Sequence, residues 1–104
     1  MRGNMRPEMI RERLERGIVV ECKGHGNSMT PILTDGELVR IVPAKEVAVG
    51  DIVFCKVRGY YYDHIVKAKN AKRGYLIANN HGHVNGWTKQ VFGIVHKASR
   101  HSER

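Results

Sequence analysis

The stretch Gly24–Leu38, GHGNSMTPILTDGEL, decides how this chain is read. Small and polar residues crowd around one serine, Ser28. A methionine, a proline and the acidic turn Thr34-Asp35-Gly36-Glu37 follow, and a run of strand-forming residues, LVRIVP (38–43), begins at once. Glycine admits the positive φ values of tight turns and proline fixes φ, so such a segment reads as a turn. A tight turn that presents a serine between two β segments suits a side chain that must point at something. A hydroxyl is a poor nucleophile until a neighbouring base takes its proton, so the rest of the chain is searched for that base.

On either side of the turn the texture is β. IVVECK (18–23), LVRIVP (38–43), DIVFCKV (51–57), YYYDHIVKA (60–68), YLIAN (75–79) and VFGIVHKA (91–98) are rich in Val, Ile, Tyr and Phe, with turn residues between them. The two-residue link Arg58-Gly59 predicts an antiparallel hairpin. Six short strands predict a small, closed or half-closed, mainly β domain over 18–98. Before it, residues 1–17 read as a lead-in and one short helix. Pro7 suits a first turn, Ile10 and Leu14 share a face, and Gly17 is the expected stop. Residues 99–104 read as a basic tail. The segment NNHGHVNGWTK (79–89) reads as a polar loop around Trp87, which is expected to plug it onto the barrel.

The candidate bases are His64, Lys67 and the histidines of that loop. Side chains alternate along a strand, so Tyr60, Tyr62, His64 and Val66 share one face of 60–68, and Tyr61, Asp63, Ile65 and Lys67 the other. His64 and Lys67 cannot both face Ser28. A neutral imidazole among aromatic and aliphatic neighbours suits a base near pH 7.

Three segments in this order, GNSMTPILTDGELVRIVP, VAVGDIVFCKV and DHIVKA, resemble the signal peptidase I and LexA-like (S24/S26-type) serine peptidases, and the loop NNHGHVNGWT is similar to one in their small single-domain members in phage and bacterial genomes. The resemblance spans roughly residues 18–97 and rests on the Ser-Met-x-Pro box with GDIV downstream. It implies a coiled antiparallel β-sheet or half-barrel with one short N-terminal helix, in which a peptide lies extended beside the serine. Ser28 would be the nucleophile and His64 a base of the histidine type, with Gly26, Asn27 and Met29 around the oxyanion and substrate. The histidine type has His-Arg before the Ile; here Asp63-His64 stands there, and a one-residue slip would bring Asp63 to Ser28 instead. Asn79 and Asn85 stand where the family often has acidic residues, which leaves Asp63, Asn79 or Asn85 to orient the imidazole. Gly26 replaces a hydroxyl that assists the oxyanion in bacterial signal peptidases.

Composition bounds the partners. The 104 residues carry a net charge of +8, which favours encounter with acidic proteins or nucleic acid. No aromatic RNA-binding signature or helix-turn-helix accompanies it, so a nucleic-acid partner is not favoured. Cys22 and Cys55 match no metal or redox spacing and read as reduced core residues. His81-x-His83 is too common a pattern to imply zinc, and no cofactor is expected. The start lacks the apolar core of a secretory leader, and no run reaches membrane-spanning length, so a cytoplasmic protein, in a host cytoplasm if phage-encoded, is expected. A LexA-type repressor is not expected, since 104 residues would not hold an upstream DNA-binding domain as well. Two functions follow: a Ser28–His64 peptidase that cuts itself or another protein, or an inactive peptidase scaffold that binds a protein partner or nucleic acid.

Overall fold

A computed structural model describes residues 5–24 and 26–98. The basic tail expected at 99–104 lies outside the described residues. Helix α1 (Pro7–Glu15) is followed by β1 (Val20–Lys23), β2 (Leu38–Pro43), β3 (Ile52–Val57), β4 (Tyr60–Asn70), β5 (Gly74–Ala78), β6 (Val84–Thr88) and β7 (Val91–Lys97). The strands form one antiparallel sheet in the order β1-β2-β7-β3-β4-β5-β6. The fold is mainly β, with a single short helix among the described residues.

The helix begins where Pro7, which has no N–H to leave unpaired, occupies the first turn. It ends in a Schellman motif. The Ile18 N–H donates to the Arg13 carbonyl at 2.9 Å and the Gly17 N–H to the Leu14 carbonyl at 2.9 Å, with Gly17 at φ 82°. Nine residues are too few to hold a helix in water alone. Ile10 and Leu14 therefore bury themselves against the sheet, joining Val39, Ile41, Phe92 and Val95. Gly93 makes this docking possible: a Cβ there would come 2.7 Å from the Val42 carbonyl oxygen, 2.8 Å from Ile41 Cγ2 and 3.3 Å from Leu14 Cδ1.

Alternation along the central strands divides the interior in two. Phe54, Ile65 and the half-buried Tyr61 pack with α1, while Val53, Cys55, Val57, Val66 and the half-buried Tyr62 form a second cluster with Ile77 and Val91. The β3–β4 connection is the expected two-residue hairpin, with Arg58 at φ 52° and Gly59 at φ 89°, the pair of positive values that a type I′ turn requires.

Two expectations need correction. Residues 84–88, read as part of a loop, form β6, pairing Tyr75 with Thr88 and Leu76 with Trp87. Its composition hid it: VNGWT holds a glycine at φ 133° and little alternation. The space above that glycine is closed by the hairpin, since a Cβ on Gly86 would meet Arg58 Nε at 3.3 Å. The Thr88 hydroxyl donates to the Lys56 carbonyl at 2.6 Å, so β6 curls back over β3. Trp87, expected to be a plug, is only half-buried, with the Arg73 guanidinium 5.7 Å from its ring centroid.

Candidate active site

The Ser28 turn is built from both ends. Gly24 and Glu37 close its base through Gly24 N–H to Glu37 carbonyl (2.9 Å) and Gly36 N–H to Gly24 carbonyl (2.9 Å). Within it, the Gly26 N–H donates to Asp35 Oδ1 at 2.7 Å, the Thr30 hydroxyl to the Asn27 carbonyl at 2.9 Å, and the Leu33 N–H to the Met29 carbonyl at 2.9 Å. Met29 and Leu33 are buried and pin the turn into the core. Ser28, between them and the exposed Asn27, is half-buried.

A second loop grips the turn from the side. The Asn80 N–H donates to the Ser28 carbonyl at 3.0 Å, and its side-chain Nδ2 donates to the Thr30 carbonyl at 2.9 Å. His81 Nε2 donates to the Asn27 carbonyl at 3.1 Å and lies 3.0 Å from the Thr30 hydroxyl. Sequence reasoning missed Asn80 and gave His81 no such role. Their only signal was an Asn-rich segment between two strands, and it says nothing about which turn that segment meets.

His64, on β4, is buried beside Tyr62, whose ring stacks on the imidazole at a centroid distance of 4.7 Å. Its Nε2 lies 2.9 Å from Ser28 Oγ, and its Nδ1 lies 2.7 Å from Asn85 Oδ1 on β6. A carbonyl oxygen only accepts, so the ring proton is assigned to Nδ1 and the lone pair of Nε2 faces the hydroxyl. Burial holds the imidazole below its ordinary pKa of 6.5; the Asn85 hydrogen bond opposes that shift and nearby His83 adds to it. His64 is therefore neutral at pH 7 and able to accept a proton.

The other expected residues are placed as follows. Asp63 does not orient His64. Strand alternation turns it to the opposite face, where its Oδ1 is closed to solvent and has no hydrogen-bond partner among the described residues. Asn79 does not reach the imidazole either, because its Oδ1 accepts from the N–H groups of His81 and His83 (2.8 and 3.0 Å) and shapes the loop. Asn85 is the one of the three in contact with the ring. Gly26 has committed its N–H to Asp35, whereas that of Ser28 meets no acceptor among the described residues. Lys67 is exposed. Among the described residues no three His, Cys, Asp or Glu side chains gather to hold a metal. Cys22 and Cys55 are free and buried, and burial pushes the Cys22 thiol up to about 11 and that of Cys55 higher still.

A cavity of about 530 Å³ opens beside the serine and histidine. Ile10, Cys22, Met29, Leu33, Phe54 and Tyr61 supply apolar wall, and Asp63 also lines it. Two strand edges border the cavity. β1 pairs with β2 alone, and residues 60–64 of β4 pair with β3 but with no strand on the β5 side, where pairing begins at Ile65.

The antiparallel sheet thus holds a serine turn against a strand histidine beside a largely apolar cleft. The Peptidase S24-like family model matches residues 7–91, and the chain belongs to that family. No curated protein matches the chain. The match takes in α1, the serine turn, β4 and β6, and therefore every residue of the Ser28–His64–Asn85 row.

Proposed function

We propose that this protein is a serine peptidase that cleaves a peptide bond in itself or in another protein by acyl transfer. The observation that carries the reading is the row Asn85 Oδ1–His64–Ser28 Oγ, with contacts of 2.7 and 2.9 Å and the imidazole kept neutral by burial. Ser28 Oγ attacks the scissile carbonyl carbon while His64 Nε2 takes the hydroxyl proton. The oxyanion receives the unspent N–H of Ser28. The C–N bond then breaks, His64 passes its proton to the leaving amine, and an acyl-serine remains. Water attacks that ester, His64 takes the water proton, and the free hydroxyl returns.

The substrate adds as a strand to the free edge of β4 at 60–64, opposite β1, so that its backbone supplies the missing pairing. An amide at Asn85 fixes the ring but brings no charge to the imidazolium that forms, so a slow enzyme is expected. The free thiols fit a reducing cytoplasm. Among the described residues no helix is long and apolar enough to cross a membrane.

The test is labelling with a fluorescent phosphonate. Wild type is expected to label, Ser28→Ala not at all, and His64→Ala at least about a hundredfold more slowly. Equal labelling of wild type and Ser28→Ala, or no labelling of wild type with retained peptide binding, would leave a binding module in its place.

A further inference from the structure

The cleft contains a group that the peptidase chemistry does not use. Asp63 is the only carboxylate on the cavity wall among the described residues, and it shares that wall with Cys22, Met29, Phe54 and Tyr61. Its Oδ1 is closed to solvent and accepts no hydrogen bond among the described residues. Buried carboxylates are ordinarily paired or hydrogen-bonded, because leaving one bare is costly. Burial alone pushes the Asp63 carboxyl up to about 6, so at neutral pH the group is still mainly an anion, and its Oδ1 has no hydrogen-bond partner among the described residues. The two cations on the same wall, Arg6 and Lys23, are exposed, and neither forms an ion pair with it among the described residues. A site left in that condition is completed by something that brings both hydrogen-bond donors and positive charge.

We propose that Asp63 is a specificity-determining residue, receiving a lysine or arginine side chain of the substrate next to the bond that Ser28 attacks. The inference rests on the peptidase reading for its meaning and on Asp63 itself for its chemistry. Adjacent Cα atoms lie about 3.8 Å apart, so Asp63 sits one step along β4 from the base. A peptide paired to that edge aligns its scissile bond with His64, and the side chain that reaches Asp63 comes from a residue one or two positions away. The apolar walls take the methylene stem and the carboxylate takes the head. An acidic substrate residue would be repelled, and an apolar one would leave the carboxylate bare. Arg6 and Lys23 oppose a cation only from the exposed rim, where solvent and salt screen them.

Two measurements separate this inference from the peptidase reading. A proteome-derived peptide library is incubated with wild type and with Asp63→Asn, and the cut sites are read by mass spectrometry. Lys or Arg is expected to be enriched at one position flanking the cut in wild type, with the enrichment lost in Asp63→Asn. Cutting without a cationic preference, or an enrichment that survives Asp63→Asn, overturns the role of Asp63 and leaves the peptidase standing. If nothing is cut, the peptidase reading fails, and binding decides on Asp63. Butylguanidinium is titrated against its neutral counterpart butylurea, with the Asp63 carboxyl signal followed by NMR. Butylguanidinium is expected to bind at least about tenfold more tightly, the ratio that one charge-assisted hydrogen bond provides, and Asp63→Asn is expected to abolish the difference. Equal binding of the two probes overturns the proposal. Thermal melts check that Asp63→Asn is folded.

Discussion

Replacing Asn85 by aspartate tests the centre of the site with one atom. In the wild type, Asn85 Oδ1 accepts from His64 Nδ1 at 2.7 Å, and the imidazole lies below its ordinary 6.5 because burial outweighs that hydrogen bond. Asn85→Asp keeps the shape and the acceptor but adds a negative charge. With charge centres about 4 Å apart and an effective dielectric constant near 20, the attraction to an imidazolium is about 4 kcal/mol before the cost of burying the new carboxylate. An opposite charge in contact commonly raises proton affinity by about ten- to a thousandfold. The His64 titration, followed by NMR of the imidazole Cε1–H, should therefore move to higher pH by that ratio. The sign works against the resting enzyme and for the transition state: fewer molecules hold a free base at pH 6–7, while the imidazolium formed during attack is stabilised. Phosphonate labelling should accordingly accelerate at pH 8–9, with its acidic limb displaced upward. An unmoved His64 titration would refute the hydrogen-bonded row, because a carboxylate in contact with Nδ1 cannot leave proton affinity unchanged.

Two further results are expected. The Asp63 carboxyl rises from an ordinary 3.8 to about 6 in the folded chain, so this group stabilises the fold fully below 3.8 and that contribution is lost as pH rises through 6. Asp63→Asn should therefore be more stable than wild type at pH 7.5 by about 1–3 kcal/mol, less whatever the bare amide costs, and the gain should vanish near pH 4; urea melts at the two pH values check this. Gly93→Ala places a methyl group against the Val42 carbonyl and Ile41, under Leu14, and should cost about 1–3 kcal/mol in the same melts while loosening α1, seen as faster amide exchange over 10–15.

The neighbours of each element explain what was legible. β2, β3, β4 and β7 are rich in Val, Ile, Tyr and Phe, and Gly50 and Gly59 mark the turns on either side of β3, so their existence and the β3–β4 hairpin follow from local chemistry. β6 escaped because its strand character comes from Tyr75, Leu76 and the hairpin it covers rather than from its own residues. In the site, strand alternation set His64 against Asp63, and the serine turn announced itself by composition. The choice among Asp63, Asn79 and Asn85 was not legible, since it depends on which polar side chain a curled β6 carries to Nδ1.

By itself, the sequence determined a small β protein with a serine held in a stiff turn and an imidazole on a strand whose parity separates it from a carboxylate, because turns and alternation are short-range consequences of covalent geometry. Only the tertiary structure decided that the hydroxyl and the imidazole meet, that an amide from a third strand fixes the ring, and that Asp63 lines a cleft with its Oδ1 unpaired among the described residues. Those are contacts between residues 21 to 36 positions apart or properties of a cleft, and they exist only once the strands have paired and β6 has curled over β3.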